Sequence, residues 1–267
     1  MGYMMDAPRS VAPMIGILRD MGQYKYDPSD VFRDFVDYGV ACLLVDGDKE
    51  MAERMMKKYG ADYVQLGNLL RAWIQVMDQQ VTDSPHSWFD ALGTIYEYLA
   101  SQYKKSWLGQ FFTPPDLCDL MTQITSKPEN RPKGKRVNDP TCGSGRLLLS
   151  FNAYNPGNLL YGEDLDPICT RMTALNMAIH GCQGQVFCCN SLSLDDWRFG
   201  YQVNPYHRYG APPVPHLLPI KKEQNLSWQY WQTQRKKAPE IKRPEPPAPV
   251  PRPAMEEVVM PAQLSLF

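Results

Sequence analysis

The residues best suited to chemistry lie in one glycine-containing stretch, Asp139-Pro140-Thr141-Cys142-Gly143-Ser144-Gly145, between a predicted strand and a predicted helix. Glycines at such a turn let the backbone approach a ligand closely and point amide N–H groups at it. Asp164 follows the next predicted strand, where a carboxylate can accept hydrogen bonds from ribose hydroxyls. A nucleotide-like cofactor is therefore predicted, although the turn alone also suits a dinucleotide fold or a plain tight connection.

The elements that position these residues are read from apolar patterning. Helical periods separate the first three of four short β-prone runs, and this alternation predicts a parallel sheet with crossover helices. One of the helices has Asp166 as its cap and Gly181 at its end, so the ribose role is given to Asp164. Thr113 opens another helix with a capping-box pattern. The four runs cover residues 135–138, 158–163, 185–189 and 199–203.

The chain before this region is predicted to be helical. Apolar residues fall on single helical faces in three stretches, the first of which starts at Pro28. These stripes are more typical of packing surfaces than of ligand sites. The sequence therefore predicts a small helical N-terminal region over residues 1–105.

Composition limits the classes of partner. The hydrophobic fraction of 43% is typical of a globular protein, and a formal net charge of −1 provides no global field for nucleic acid. The seven cysteines show no disulfide framework or zinc spacing. Neither a signal peptide nor a membrane-spanning stretch is recognisable. We therefore expect a cytoplasmic protein that has no membrane partner and binds no metal.

Three motifs, taken in order, resemble those of N6-adenine DNA methyltransferases. They are Gly109-Gln110-Phe111-Phe112-Thr113-Pro114, the stretch from Asp139 to Gly145, and the stretch from Gly162 to Pro167. Their order is similar to that in modification subunits of type I restriction systems. The segment from Leu92 to Leu99 also resembles that branch. The resemblance covers roughly residues 85–205 and implies an α/β, Rossmann-like fold dependent on S-adenosylmethionine (SAM).

The resemblance also implies which residues bind the cofactor. Phe112 and Thr113 would line the methionine end of SAM, unless Thr113 serves only as a helix cap. Asp139, Gly143 and Gly145 would form the turn beneath the methionine. Asn190 stands where the family usually has Asp beside the adenine amino group, and an amide oxygen also accepts that hydrogen bond. Asn190 fits a simple turn residue equally well.

The catalytic motif departs from the family pattern. Family members carry Asn-Pro-Pro-aromatic, whose Asn side chain and Pro carbonyl accept the two amino hydrogens of a flipped adenine. The corresponding residues are Asn204, Pro205, Tyr206 and His207. Asn204 and Pro205 are retained, whereas Tyr206 replaces the second Pro and His207 replaces the stacking ring. The alternative is that Asn204-Pro205 merely ends a strand.

The chain after the motif is too short for the rest of the family's fold. We place the methyltransferase-like domain at 106–210 and expect its sheet to end early. We expect residues 211–262 to be a basic, Pro-rich and largely disordered tail, because the composition of residues 239–261 cannot support a packed core. Basic and aromatic residues between 221 and 243 suit DNA phosphates and bases, and they suit a solvated linker at least as well.

The last five residues are apolar, unlike the tail before them. This pentapeptide resembles the one with which many bacterial DNA-processing proteins dock on the replicative sliding clamp. It consists of Gln263, Leu264, Ser265, Leu266 and Phe267. Leu264, Leu266 and Phe267 would enter an apolar groove, and Gln263 would hydrogen-bond beside it. A tethered anchor of this kind raises local concentration near DNA.

Two functions remain open from sequence. One is a SAM-dependent methyltransferase acting on adenine N6 in double-stranded DNA, with a partner subunit for target recognition and recruitment by the clamp. The alternative is a catalytically inactive module that holds SAM or a partner and docks on the clamp. The retained Asn204-Pro205 favours the enzyme, and the changes at Tyr206 and His207 favour the module.

Overall fold

The computed structural model describes residues 7–22, 25–83, 87–103, 111–126, 131–193, 196–207 and 214–237. The chain divides into two compact units, residues 1–229 and residues 230–267. The sheet and every residue of the cofactor site described below belong to the first unit. In the described ranges, no helix has both the length and the apolar character needed to cross a membrane.

Five helices form the N-terminal region, which the sequence predicts to be helical. They are α1 (Ala12–Gly22), α2 (Pro28–Leu43), α3 (Lys49–Tyr59), α4 (Val64–Asp83) and α5 (Ala91–Tyr103). Asp27 caps α2 by accepting hydrogen bonds from two backbone amides, and Pro28 occupies the first turn. Their buried faces form one continuous apolar core with the sheet and its helices.

Three parallel strands carry the chemistry-bearing motifs. They are β1 (Arg136–Asp139), β2 (Leu159–Asp164) and β3 (Gln183–Cys188), joined by α7 (Arg146–Tyr154) and α8 (Pro167–Ile179). This part confirms the predicted parallel sheet with crossover helices. Asp166 caps α8 and accepts a hydrogen bond from the Ile168 amide at 2.9 Å.

The sheet continues with two antiparallel strands. β4 (Phe199–Val203) pairs with β3, and β5 (Leu217–Ile220), which the sequence did not predict, pairs with β4. Residues 189–198 are too few for a parallel crossover, which needs about a dozen residues or more. The strand order is therefore β1-β2-β3-β4-β5, with β1 and β5 at the edges of the sheet among the described residues.

Helix α6 (Pro115–Thr125) packs against α7. The predicted capping role of Thr113 is wrong, because the helix is capped by Pro114 without a side-chain hydrogen bond. The Thr113 carbonyl instead accepts hydrogen bonds from Arg146 and from the Cys118 thiol. Helix α9 (Leu226–Lys237) follows β5 after a short 3-10 turn at Lys222–Gln224.

Candidate cofactor site

A cavity of about 770 Å³ lies at the carboxyl ends of the parallel strands. This is where ligands bind in open α/β sheets, and the volume lies within the roughly 300–1,000 Å³ of small-molecule sites. The structure brings six of the seven predicted cofactor residues to its wall. They are Phe112, Thr113, Asp139, Gly143, Asp164 and Asn190. The seventh, Gly145, begins α7 between two other wall residues, Ser144 and Arg146.

The glycine turn has a conformation that other residues rarely adopt. Gly143 has φ +55° and Gly145 has φ +92°. A Cβ atom on Gly143 would lie 2.8 Å from the Phe112 ring, so glycine is required for the turn and the Phe112 segment to approach each other. The Gly145 amide closes the turn on the Cys142 carbonyl at 2.7 Å.

Asp164 joins the end of β2 to the glycine turn. One carboxylate oxygen accepts the Gly143 amide at 2.9 Å, and the other accepts the Asp166 amide at 2.8 Å. Each oxygen retains a second lone pair. Burial raises the pKa of Asp164, because the charged form is poorly solvated, and the backbone hydrogen bonds oppose that shift.

Asp139 and Asn190 stand at the ends of β1 and β3. Asp139 accepts the Thr141 amide at 3.1 Å, and burial raises its pKa as well. Asn190 accepts the Leu192 amide at 3.0 Å, so it is a turn residue whose side chain also lines the cavity. The two interpretations of Asn190 are compatible.

Phe111 and Phe112 approach the cavity from outside the sheet. Phe111 is 83% exposed, whereas the Phe112 ring packs 5.2 Å from the Tyr96 ring and lies beneath the Arg146 guanidinium. Gly109 and Gln110 of the same motif lie outside the described residues.

The four predicted catalytic residues do not reach this cavity. Val203 pairs with Gly184 and Phe199 pairs with Cys188, so Asn204 lies beside the start of β3 and not beside its end. Gly184 and Cys188 are four residues apart, which corresponds to roughly 13 Å along β3 at about 3.3 Å per residue. Because β4 runs antiparallel, Asn204, Pro205, Tyr206 and His207 emerge at the opposite ends of the strands, near the amino end of β3. This corrects the predicted placement of all four residues beside the cofactor.

Asn204 has a structural role where it stands. Its side chain is 2% exposed, and its amide donates to the Ala178 carbonyl at 3.0 Å and the Cys182 carbonyl at 2.8 Å. Its side-chain oxygen accepts the His216 amide at 3.0 Å. The Tyr206 ring is 65% exposed and stacks on His216. Asn204 therefore ends β4 and fastens the turn between α8 and β3.

Sequence reasoning missed the charged residues behind the cavity. Arg146 lines the cavity, and its side chain is bound to Asp90 and Glu97 of the N-terminal region. Glu97 lies within the segment from Leu92 to Leu99 that resembles type I modification subunits. That segment was a usable signal, but its pattern does not indicate which residues Glu97 contacts.

The region that forms the cavity is similar to a known protein family. Residues 88–206 match the model of a family described as N-6 DNA Methylase. This region of the chain is therefore similar to N-6 DNA methylases. The match begins at Trp88, just before α5, and it covers all of the predicted cofactor residues. The family supports S-adenosylmethionine as the cofactor of this region.

The curated relatives that this chain matches are named as methylase subunits of type I restriction enzymes. The MjaIX subunit of Methanocaldococcus jannaschii is 32% identical over 130 residues, which is 43% of this chain and 22% of the relative. The MpnII subunit of Mycoplasma pneumoniae is 25% identical over 76% of this chain and 40% of the relative. The matched part of the chain thus spans about a fifth to two fifths of these relatives.

A solved structure from Streptococcus thermophilus is also similar. It is a type I restriction-modification system methyltransferase subunit, 22% identical, with a TM-score of 0.30 over 67% of this chain and 39% of that chain.

Proposed function

We propose that this chain is a SAM-dependent DNA methyltransferase that transfers a methyl group to adenine N6 in double-stranded DNA. The observation that carries the proposal is the cavity, where the glycine turn, Asp164 and the Phe112 segment meet at the carboxyl ends of parallel strands. The cavity fits the cofactor because it has the volume of a small-molecule site and because the hydrogen-bond acceptors Asp139, Asp164 and Asn190 line it.

Each wall residue has a role in holding the cofactor. Asp164 would accept hydrogen bonds from the ribose hydroxyls with the lone pairs that its backbone contacts leave free. Asn190 would accept one from the adenine amino group. Phe112 and Thr113 would contact the methionine end, above the turn that contains Asp139, Gly143 and Gly145.

The bound cofactor supplies an electrophilic methyl group. The N6 lone pair of adenine would take up that methyl group as the S–C bond breaks, S-adenosylhomocysteine would leave, and the proton released from N6 would pass to bulk solvent. The protein's contribution is to orient the two reactants and exclude water. We assign target recognition to a partner subunit, because the relatives are named as subunits of restriction enzymes.

One observation favours a second function. Asn204 lies at the end of the strands opposite the cavity with its side-chain polar atoms already bonded, so it does not present an adenine to the cavity. The second candidate is therefore a module that binds SAM or a partner without transferring the methyl group. The relatives' names favour the enzyme.

Methyl transfer distinguishes the two functions. We would incubate the chain at high concentration with tritium-labelled SAM and unmethylated DNA, then measure N6-methyladenine after hydrolysis. We expect slow transfer with little sequence preference, at least tenfold lower for Asp164→Ala because charged hydrogen bonds to the ribose are lost. Asp46→Ala removes an exposed carboxylate from the N-terminal region and should leave transfer unchanged. SAM binding without N6-methyladenine would contradict the enzyme and support the module.

A further inference from the structure

The segment from Leu92 to Leu99 has no part in the function proposed above, although it lies on α5 directly behind the cavity. Gly93 and Glu97 are four positions apart in the sequence and thus share one face of the helix. A Cβ atom on Gly93 would lie 2.0 Å from an Asp90 carboxylate oxygen and 2.6 Å from the Ser144 hydroxyl. Glycine at this position therefore lets α5 approach the glycine turn closely.

Arg146 is the cation that α5 holds. Its side chain is 6% exposed, with the Nε atom 2.7 Å from Asp90 Oδ2 and the Nη2 atom 2.8 Å from Glu97 Oε2. Burial lowers the pKa of Arg146, but the two carboxylates outweigh burial and the net shift is upward. The guanidinium therefore stays charged, and each carboxylate holds a different side of it.

The two carboxylates have different further partners. Asp90 accepts hydrogen bonds from the Gly93 amide at 2.7 Å, the Ser144 hydroxyl at 2.6 Å and the Asn176 amide at 2.7 Å. It is 3% exposed and fastens α5 to α8 and to the glycine turn. Its removal would leave several buried donors without a partner, which is a structural loss.

Glu97 contacts the cofactor wall. Its Oε1 atom accepts the Phe112 backbone amide at 2.9 Å, and Arg146, which it holds, donates to the Thr113 carbonyl at 3.3 Å. Residues 111–114 belong to no helix or strand, so these bonds substitute for a hydrogen-bond ladder. The Arg146 guanidinium also lies over the Phe112 ring, with its centre 5.4 Å from the ring centroid.

We propose that Glu97 is a positioning residue for the cofactor. Through the Phe112 amide and Arg146, it sets the distance of Phe112 and Thr113 from Gly143 and so defines the width of the cavity at the methionine end. This inference rests on the proposed cofactor site. It assigns to the segment from Leu92 to Leu99 a role in cofactor affinity that is separate from the packing role of Asp90.

Glu97→Gln tests the proposal, because it keeps the size of the side chain and removes the charge that holds Arg146. We would titrate S-adenosylhomocysteine by calorimetry and follow amide hydrogen exchange in the free protein. We expect about tenfold weaker binding and faster exchange at residues 111–113, with exchange in β2 and β3 unchanged. Glu53→Gln, an exposed substitution on α3, is the matched control and should match the wild type in both measurements.

The outcomes separate this inference from the proposed function. A wild type that does not bind S-adenosylhomocysteine contradicts the cofactor site itself. A wild type that binds, with Glu97→Gln binding equally well, overturns the positioning role. Faster exchange throughout the sheet in Glu97→Gln would show a merely structural ion pair and would also overturn it. If Glu97→Gln does not fold, Glu97→Asp keeps the charge on a shorter side chain and should show intermediate affinity.

Discussion

At the scale of single residues, the shape of the cavity depends on a glycine that has no Cβ atom. Gly143 and Gly47 both have positive φ angles, +55° and +66°. A Cβ atom on Gly143 would meet the Phe112 ring, whereas one on Gly47 would have nothing within 4 Å. Comparing substitutions at Gly143 and Gly47 therefore distinguishes two effects. Both substitutions strain the backbone, but only the one at Gly143 also causes a collision at the cavity wall.

Gly143→Ala and Gly47→Ala should both lower the free energy of unfolding by about 1 kcal/mol or more, because alanine resists the left-handed conformation. Only Gly143→Ala should also weaken SAM binding, by about tenfold, because the ring of Phe112 must move. Urea unfolding and calorimetric titration measure the two effects. Equal SAM affinity in both variants would show that the contact between Gly143 and Phe112 has no role in binding.

Residue spacing predicted that the glycine turn and Asp164 lie together, and the family resemblance added Phe112, Thr113 and Asn190 to the same cavity wall. Asp139, Gly143 and Asp164 all follow or end parallel strands, and residues in such positions meet at one edge of a sheet. Glu97 and Arg146 were not predicted, because their contact joins two helices, α5 and α7, that are far apart in sequence. A buried ion pair of this kind leaves no periodic signal in either segment.

At the scale of elements, the direction of one strand decides where the Asn-Pro motif lies. Sequence patterning located β4 at the residues observed, 199–203, but gave no direction for it. The short connection from β3 favours an antiparallel hairpin, which carries Asn204 away from the cavity. The length of this connection can be read from the sequence. It predicts the direction of β4 correctly, whereas the resemblance of the Asn-Pro motif placed Asn204 at the wrong end of the strand.

Asn204→Ala should therefore destabilise the fold. The change leaves the Ala178 carbonyl, the Cys182 carbonyl and the His216 amide without their partner in a buried turn, at a cost of about 2–4 kcal/mol in the free energy of unfolding. Tyr206→Ala, two residues on and largely exposed, should cost less than about 1 kcal/mol. If Asn204→Ala unfolds like the wild type in urea yet loses methyl transfer, the antiparallel placement of β4 is contradicted.

At the scale of the whole molecule, the proposed activity requires more than the cofactor unit. The matched part of the chain corresponds to 22% of the MjaIX relative and 40% of the MpnII relative, and both relatives are named as subunits, which is the basis for the proposed partner in target recognition. We also propose that the sliding clamp brings the chain to DNA through Gln263, Leu264, Leu266 and Phe267. These residues lie outside the described part of the structure, and the proposal rests on their sequence pattern.

A fluorescently labelled peptide of residues 258–267 should bind a bacterial sliding clamp with modest affinity, because its apolar side chains enter a groove. Replacing both Leu266 and Phe267 with Ala should abolish binding measured by fluorescence polarisation. Val258→Ala, outside the pentapeptide, should have no effect. A wild-type peptide that does not bind, or a double variant that binds equally well, rules out recruitment through this sequence.

The central claim is that the cavity at the ends of β1, β2 and β3 binds SAM. Calorimetric titration of SAM into the wild-type chain tests this claim most directly. The same titration is the reference for the Gly143→Ala and Gly47→Ala variants. We predict saturable heat from a single site, weakened by Gly143→Ala and unchanged by Gly47→Ala. No saturable heat with folded wild-type protein would contradict the claim, and with it both the enzyme and the SAM-holding module.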